Sequence, residues 1–525
     1  MKNPSKYVVA LTAALGLFMA VLDNTVVNVT LTPMSTALKA SLTSIEWVVT
    51  GYFLAQAAVI PVSGYLSNRV GIKRLFMVCV GLFTTGSLLC GLAQNETQLI
   101  AFRVVQGIGG GALFPLAQAI AFGAFPPAER AAASGIVGIP VLLAPAFGPT
   151  IGGLLNDNFG WASIFFVNVP VGIFAIFLAW RVMPADAPAA ARPGRFDYLG
   201  LGLSMAGVLA IVYAFTLVSQ AQPGTETVFN PRGTPYGWGY WPVWALVAGG
   251  VVTLAVFAFY ELRISRDPVL DLRIYQRYEF LVGSLITWVV AAVIFGSLLL
   301  IPIFLEQVRL PHLSALDTGL AMMPQGLASA AAVALGSRLY NRVGVRSLIL
   351  VGSTLLVISS WGLTQLTPTA DGLSLLPWLV IRGLGFGFTF IPVQTLAMQP
   401  IVGAALAKAS SLFAVTRQIF SSAGVAVVIT LFVQQTTQHA TDLRAQLLAK
   451  LPAGVSLSPT SPAALALRDQ LGAQAGTAGA NDVFTLVTIG TLLIVLLAVL
   501  LPRRTPQDAA ATPAGEPARP PVLAE

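Results

Sequence analysis

The chain has 525 residues, of which 56% are hydrophobic and 10% are charged, and its formal net charge is +8. Soluble domains carry about 25% charged residues, so this composition cannot cover a soluble surface and predicts a membrane protein. The basic residues recur at alternate loops instead of clustering on one face, which argues against nucleic-acid binding. The sequence has no zinc-ligand spacing and no Walker A motif, so we expect no metal, no cofactor and no enzyme activity.

Apolar runs long enough to cross a bilayer, about 20 residues each, recur along the whole chain. Fourteen spans are predicted, at residues 7–31, 46–66, 74–93, 98–121, 131–155, 161–181, 197–218, 241–261, 280–304, 315–337, 346–366, 374–398, 408–434 and 482–502. With the N-terminus in the cytoplasm, 19 Lys and Arg residues fall in inside loops and six in outside loops. This asymmetry predicts a multi-pass protein of the bacterial cytoplasmic (inner) membrane with both termini in the cytoplasm.

The first predicted span carries a carboxylate. Asp23 is followed by Asn24, Asn28 and Thr32, which are four residues apart and share one helix face beside it. An ionisable side chain at the centre of a spanning helix costs at least about 2.5–3.5 kcal/mol on insertion scales, so each one needs a reason. One interpretation is a carboxylate that binds a proton or a cation, and the other is a structural carboxylate held by neighbouring amides.

The fourth span carries a second charge, because Arg103 lies near its start, before Gln106 and a glycine run. Arg103 is a candidate partner of Asp23, either in an ion pair or through its electrostatic effect, and snorkelling toward water is the alternative. The segment "GIGGGA" at 107–112 fits a dinucleotide fingerprint, but that fingerprint requires a preceding strand. Inside a membrane span its small residues indicate close helix packing instead.

The fifth span, "GIVGIPVLLAPAFGPTIGGLL" at 135–155, concentrates glycine and proline in a segment without charge. Membrane helices tolerate these residues where neighbouring helices satisfy the freed backbone groups. The prolines are expected to bend the helix and the glycines to form a smooth packing face. The span is therefore either a shaped hinge or seal between two bundles, or only a packing face.

An internal repeat divides the chain. "LSNRVGIKRL" at 66–75 matches "LYNRVGVRSL" at 339–348, and "RVVQGIGGGALFP" at 103–115 is echoed by "RGLGFGFTFIP" at 382–392. The seventh and eighth spans have no counterpart. The predicted divisions are a six-helix bundle at 1–183, a linker with two inserted helices at 184–279, a second six-helix bundle at 280–502 with a long outside loop at 435–481, and a disordered cytoplasmic tail at 503–525.

The second half offers weaker candidates. Glu306 ends the ninth span and is either a second acidic site at the outer mouth or a hydrated helix-end residue. Arg382 and Arg417 are interpreted as counterparts of Arg103. Within the outside loop, Leu443 and Leu447 begin a run of leucines at helical spacing, which predicts a surface helix.

Taken together, residues 7–502 resemble the major facilitator superfamily, and specifically its 14-span drug/proton antiporters of the EmrB/QacA type. "LDNTVVNVTLTPM" at 22–34 is similar to the acidic motif of the first span, and Arg103 and Gly107 match the arginine motif of the fourth. The residues that match the loop motif after the second span are Gly64, Arg69, Gly71, Lys73 and Arg74. Those that lie at or near the positions of the span-5 antiporter motif are Gly138, Pro145, Gly148, Pro149, Gly152 and Gly153.

One position departs from the family pattern. The loop motif usually has an acid where this sequence has Asn68, and the second half repeats the change with Asn341. A charge contact that helps to hold one conformational state is therefore either missing or replaced by an amide hydrogen bond. "VTRQIF" around Arg417 also resembles a family element of the thirteenth span, although Phe420 stands where a small residue is more usual.

The resemblance implies proton-coupled efflux, by alternating access, of hydrophobic or cationic small molecules. Asp23 and Arg103 would couple protons, with Glu306, Arg417, Asn24 and Asn28 as secondary coupling or substrate residues. The expected partners are the substrate, protons and the lipid bilayer, with the 435–481 loop as a candidate docking place for a periplasmic adaptor protein. The alternatives are a narrow-specificity metabolite exporter or proton symporter of the same fold, and a membrane sensor or scaffold without transport.

Overall fold

The computed structural model describes residues 5–186, 196–220, 222, 225, 235–265, 267–450 and 462–501. Within these residues, 14 helices are long and apolar enough to cross a membrane, which confirms the predicted number of spans. They are α1 (Lys6–Asn28), α2 (Trp47–Val70), α3 (Ile72–Gly91), α4 (Glu96–Ala124), α5 (Pro127–Phe159), α6 (Ser163–Val182), α7 (Tyr198–Ser219), α8 (Trp241–Arg263), α9 (Tyr278–Val308), α10 (Leu316–Val343), α11 (Val345–Gln365), α12 (Gly372–Met398), α13 (Ala405–Leu447) and α14 (Ala466–Leu500).

The last two helices reach further than the apolar pattern predicts. The helix that contains α13 runs over Ala405–Lys450, and the one that contains α14 runs over Pro462–Leu500. Most of the interval 435–481 is therefore helical, because it is rich in Ala, Gln and Leu, which favour helix without requiring burial. The helix predicted around Leu443 is the end of this long helix, and the tail at 503–525 lies outside the described residues.

Six helices on each side of α7 and α8 pack mainly among themselves. In the first group, α4 packs on α2 and α3, and α1 packs on α5 and α6. In the second group, α12 packs on α10 and α11, and α14 packs on α11 and α13. The two groups meet along two seams, one between α5 and α10 and the other between α2 and α13. This arrangement confirms the predicted fold class of two six-helix bundles with two inserted helices.

Glycines produce the closest helix contacts within each group. A Cβ at Gly107 would lie 2.6 Å from the backbone oxygen of Tyr52, and one at Gly111 would lie 2.6 Å from that of Gln56, so α4 touches α2 backbone to backbone. The repeat reproduces this contact, since a Cβ at Gly387 of α12 would lie 2.5 Å from the backbone oxygen of Ser329 in α10. The glycine runs therefore act in helix packing, which lets small residues bring backbones together.

The inserted helices α7 and α8 pack against the rest of the molecule. α7 packs against both α2 and α13 and so lies across one seam, whereas α8 packs chiefly on α7. Leu217 and Val218 of α7 and Ala426 of α13 share one buried apolar cluster. The insertion therefore covers the α2–α13 seam and brings the loop after α8 to the junction of the two groups.

Candidate functional site

A buried ion pair lies inside the first group of helices. The Nη1 of Arg103 in α4 lies 2.5 Å from the Oδ2 of Asp23 in α1, and the two residues are 1% and 2% exposed. Arg103 also donates from Nε to the backbone oxygen of Val48 at 3.0 Å, and its guanidinium lies 3.9 Å from the ring centre of Tyr52. The structure thus brings together the two charged residues that the sequence proposes as partners.

Two amides complete the surroundings of this carboxylate. Gln106 and Asn168 each donate from the side-chain amide to Oδ1 of Asp23 at 2.9 Å, and Gln106 Oε1 accepts from Arg103 at 2.8 Å. Asn168 also donates to Ser87 of α3 at 3.1 Å, so α1, α3, α4 and α6 share one polar network. The sequence reasoning missed Asn168, and its only local signal is an amide near the start of an apolar span.

The other polar residues of α1 lie outside this network. Asn24 is half-buried and Asn28 is exposed, and the Asn28 amide donates to the Asn24 backbone oxygen at 3.1 Å. Thr25 instead reaches α5, where its hydroxyl donates to the Ala144 backbone oxygen at 3.2 Å. Among the predicted polar residues of this stretch, Asp23 is the one that the described contacts tie to Arg103.

The loop motif lies at the end of the molecule that carries the segments at 71, 183–186, 267–277, 344 and 399–404, which we call the basic end. Asn68 donates from its amide to the Ala404 backbone oxygen at 3.0 Å, and Asn341 donates to that of Ala128 at 3.1 Å. Both bonds join one helix group to the other. A carboxylate at either position could not donate them, so the amide makes a cross-group hydrogen bond where the family pattern has an acid.

A carboxylate from the inserted segment joins the two groups at the same end. Asp267 Oδ2 lies 3.1 Å from Arg69 Nη2 at the end of α2, and its Oδ1 lies 2.8 Å from Lys408 Nζ at the start of α13. We call these three residues the Asp267 clasp. Partial burial opposes ionisation, but the hydrogen bonds and charges of Lys408 and Arg69 outweigh it and lower the pKa of Asp267.

The loop that carries Asp267 is held by the inserted helices. Glu261 at the end of α8 accepts a hydrogen bond from the Val269 backbone N–H at 2.9 Å, and Asp197 accepts from Ser265 at 2.9 Å. The side chain of Glu261 is buried, because the segment at 267–277 folds back over it. Asp267 was not singled out in the sequence, since its partners are far away along the chain.

The remaining residues of the loop motif hold α3. Gly71 has a φ of 100°, which favours glycine, and Asp186 sits so close that no Cβ would fit. The Asp186 carboxylate accepts from the backbone N–H groups of Lys73 at 2.9 Å and Arg74 at 3.1 Å, which caps the α3 N-terminus. Lys73 Nζ donates to the Met183 backbone oxygen at 2.7 Å.

Gly64 contributes to the seam between α2 and α13 and not to the capping of α3. A Cβ at this position would lie 2.5 Å from the Ala407 backbone oxygen, so α2 and α13 meet there backbone to backbone. The loop motif therefore has two roles, one at the seam between the groups and one within the first group.

The glycine- and proline-rich helix α5 lies between the two groups. Its helical part is unbroken from Arg130 to Phe159 although it contains three prolines. Gly148 and Gly152 face Thr25 and Val26 of α1, which belong to the same group. Other positions face the second group: Gly138 packs on Ile391 of α12, and Pro149 lies against Gly319 of α10. Gly153 is looser, because a Cβ there would lie 4.0 Å from the nearest side-chain atom, on Leu316.

The candidates in the second half lie apart from Asp23. Glu306 is half-buried in the last turn of α9, at the opposite end from the Asp267 clasp. Arg417 of α13 is half-buried and places its guanidinium 3.8 Å from the ring centre of Phe114 in α4, so it contacts the first group directly. Among the described residues, no cluster of three His, Cys, Asp or Glu side chains could hold a metal ion.

Comparison with known proteins agrees with this architecture. Residues 13–425 match the family model described as Major Facilitator Superfamily. The chain is 34% identical over 422 residues to a "Multidrug resistance protein B homolog" of Mycobacterium tuberculosis, covering 79% of this chain and 74% of that protein. It is 30% identical over 502 residues to the "Multidrug export protein EmrB" of Haemophilus influenzae, covering 93% and 94%.

Two solved structures share the fold. The human organic anion transporter MFSD10 superposes with a TM-score of 0.60 at 14% identity, covering 94% of this chain and 100% of that one. The proton:xylose symporter XylE superposes with a TM-score of 0.57 at 12% identity, covering 93% and 96%. At these identities the likeness concerns the fold.

Proposed function

The chain belongs to the major facilitator superfamily and is of its EmrB/QacA type, and from that premise we propose that it exports hydrophobic or cationic small molecules across the bacterial cytoplasmic membrane in exchange for protons. Its relatives are transporters and not enzymes. The observation that carries the proposal is the buried pair of Asp23 and Arg103, because it is an ionisable carboxylate at membrane depth with a charged partner.

The pair supports a proton-coupling role through its geometry. Asp23 accepts hydrogen bonds from Arg103, Gln106 and Asn168, so protonating the carboxylate removes the charge that aligns all three donors. The donors belong to α4 and α6 whereas the carboxylate belongs to α1, so loss of the charge weakens the contact between helices. Deprotonation restores the pair, and a proton bound on one side of the membrane is released on the other.

The contacts at the basic end support an alternating-access cycle. The Asp267 clasp, Asn68 and Asn341 all join the two helix groups there. Arg130 of α5 adds a further link, since its Nη1 donates to the Met398 backbone oxygen at 2.6 Å. This end is closed in the present conformation, and the groups must separate there for substrate to enter from the same side.

The proposed substrate class rests on the relatives and on Asp23. Hydrophobic molecules bind in apolar pockets without a dedicated charge partner. A carboxylate favours a cation, and Asp23 would serve one only after Arg103 has moved away from it. The names of the M. tuberculosis and H. influenzae relatives, which refer to multidrug resistance and export, support a broad substrate range.

The proposal includes an orientation and a partner surface. Both termini would lie in the cytoplasm, as the charge asymmetry predicts, which makes the basic end the cytoplasmic one. The helical extensions of α13 and α14 would then project outward, where His439 and Asp482 link them at 2.8 Å. These extensions are the surface on which a periplasmic adaptor protein would dock.

The test uses the purified full-length chain in proteoliposomes. Vesicles loaded with ethidium are given a pH gradient, and dye movement and internal pH are followed together. We expect the wild-type protein to move dye against its concentration gradient while protons move the other way. We expect Asp23→Asn to lose gradient-driven movement.

Asp157→Asn is the matched control, because Asp157 is exposed in the last turn of α5 and remote from the pair. Equal gradient-driven transport by Asp23→Asn and wild type would overturn the coupling role. Dye and protons moving in the same direction would indicate a symporter, and the absence of any flux would favour a sensor or scaffold.

A further inference from the structure

The second half contains a buried arginine without a counter-ion. The repeat aligns Arg103 of α4 with Arg382 of α12. Arg103 reaches Asp23 in α1, the first helix of its group, whereas Arg382 donates from Nη2 to the hydroxyl of Ser297 in α9, the first helix of its own group, at 2.5 Å. A serine therefore occupies the place that the carboxylate has in the first half.

A hydroxyl cannot neutralise the guanidinium. Arg382 is 0% exposed, and its Nε and Nη1 have no hydrogen-bond partner within the described part of the chain. No carboxylate among the described residues forms an ion pair with it. A buried charge is strongly unfavourable unless it is paired, so the two free donors and the uncompensated charge favour binding of an acceptor group at this position.

Arg382 also lines a cavity between the two helix groups. The cavity has a volume of about 40 Å³. One water molecule needs about 10–15 Å³ on this measure, so the space suits a carboxylate group or about three waters. Its polar wall consists of Arg382, Gln325 and Ser329, and its apolar wall includes Phe295, Leu298 and Pro145.

The amide of Gln325 is the second polar group of this cavity. Gln325 is 7% exposed, and its Oε1 has no hydrogen-bond partner. A turn about its last side-chain bond would direct the NH₂ group to the position of Oε1, where it could donate to an anion. Arg382 and Gln325 together offer several donors to an acceptor-only ligand.

We propose that this cavity is a binding subsite for the carboxylate of an amphipathic anionic substrate, with Arg382 as its counter-ion. Phe295 and Leu298 of α9 and Pro145 of α5 line the apolar path for the rest of the molecule. Since Pro145 belongs to the glycine- and proline-rich helix, the site lies at the seam that alternating access must open. Binding at the subsite does not depend on the proposed transport function. Only the inference that the bound anion is transported rests on that function.

A second cation strengthens the positive potential near the seam. Arg417 forms no ion pair with any carboxylate in the part of the chain that the structure describes. Asp23, the buried carboxylate of the first half, is already compensated by Arg103. The uncompensated charge beside this cavity is therefore positive, so an anionic head group is favoured at this position, in addition to the hydrophobic and cationic molecules of the proposed function.

Binding of 11-(dansylamino)undecanoic acid to the full-length chain in lipid nanodiscs tests the subsite. Its primary amide is the neutral match of the same length and fluorophore. We expect the wild-type protein to bind the acid more tightly than the amide by at least about tenfold, the value of a charge-assisted hydrogen bond. Arg382→Gln and Ser297→Asp should both remove this preference, the second because it supplies the missing carboxylate.

Arg342→Gln is the charge-matched control, because Arg342 is exposed at the basic end. Equal wild-type affinity for acid and amide, or an unchanged preference in Ser297→Asp, would overturn the subsite. If both variants fail to fold, equal affinity of the wild-type protein for the acid and the amide would still overturn the subsite. A preference for the acid without gradient-driven flux would support the subsite and refute the transport function. Flux without the preference would support the transport function and refute the subsite.

Discussion

At the residue scale, an amide and a distant carboxylate share the task that the family pattern gives to one acid. Asn68 donates to a backbone oxygen of the second group, which an ionised carboxylate cannot do. Asp267, supplied by the loop after α8, brings the negative charge that binds Arg69 and Lys408. The charge contact at the basic end is therefore not lost but is contributed by another part of the chain.

Replacing Asp267 with Asn should weaken closure at the basic end. The substitution removes the negative charge that Arg69 and Lys408 share at this position. Partly exposed ion pairs contribute about 0.2–1 kcal/mol each, so loss of both pairs should lower the ratio of closed to open molecules by about twofold to thirtyfold. Spin labels on cysteines introduced at Val70 and Val402, both exposed, would report the distance between the groups.

The natural cysteines Cys79 and Cys90 are buried and should react slowly with the label. Asp271→Asn is the control, because Asp271 lies in the same loop but accepts only from the Arg273 backbone N–H within it, at 3.2 Å. Identical distance distributions for Asp267→Asn and wild type would show that the clasp does not hold this end closed.

Acid should release the same clasp. Partial burial opposes ionisation of Asp267 in the closed state, but the hydrogen bonds and charges of Lys408 and Arg69 outweigh it and lower the pKa of this carboxyl. A group whose pKa is lowered contributes its full stabilisation above the ordinary value, about 3.9, and loses it as the pH falls through the lowered value. The part of the spin-label change that depends on Asp267 should therefore be absent above about pH 5 and appear only in stronger acid. An equal change in Asp267→Asn would assign the effect to another group.

At the element scale, α5 and α7 show how position gives a helix its role. The glycines and prolines of α5 predict close packing from the sequence alone. The structure adds that α5 presents Gly148 to α1 and Pro149 to α10, so one helix contacts both groups. α7 has no special motif, yet it covers the α2–α13 seam. Its role depends on where it packs and not on its composition.

Alanine at Gly148 should disturb the α1–α5 contact, whereas alanine at Gly153 should not. A Cβ at Gly148 would lie 2.5 Å from the Cβ of Thr25, which cannot move without moving the α1 backbone. Overpacking of this kind costs about 1–3 kcal/mol. At Gly153 the nearest atom would be 4.0 Å away, and alanine favours helix by about 1 kcal/mol.

Thermal unfolding of the detergent-solubilised protein and gradient-driven dye transport would be measured for both variants. We expect a lower midpoint and weaker transport for Gly148→Ala, and values near wild type for Gly153→Ala. If both variants match wild type, the small residues of α5 have no packing role at this contact.

At the scale of the whole molecule, the proposed transport cycle requires the two helix groups to separate at the basic end. Ser63 of α2 and Ser411 of α13 lie across the seam with their hydroxyl oxygens 3.3 Å apart. Cysteines at both positions are therefore within reach of a disulfide. Oxidation of the Ser63→Cys, Ser411→Cys double variant should abolish transport, and reduction should restore it.

Each single variant under the same oxidant is the control for damage to other residues. Electrophoretic mobility or mass spectrometry would confirm that the bridge has formed. Full transport by the bridged protein would refute opening along the α2–α13 seam, and it would leave only the α5–α10 seam for the cycle.

Much of the architecture follows from the sequence itself. The length of the apolar runs predicts the number of spans, because each helix must satisfy its backbone hydrogen bonds internally within the bilayer. Asp23 and Arg103 stand out for a related reason, since a charge in an apolar span is costly and needs a partner. The glycine runs likewise predict tight packing without naming the neighbour. All of these signals are local in the chain.

Only the tertiary structure decided which side chains meet. Asp267 lies 198 residues from Arg69, and Asn168 lies 145 residues from Asp23, so no local periodicity connects either pair. Ser297 opposite Arg382, 85 residues away, is equally invisible in the sequence, because serine is common in membrane helices and carries no charge. Hydrophobicity and spacing determine which helices form. The packing of α7 across the seam determines that Arg69 and Lys408 meet Asp267. The packing of α9 against α12 determines that Arg382 meets a serine instead of a carboxylate.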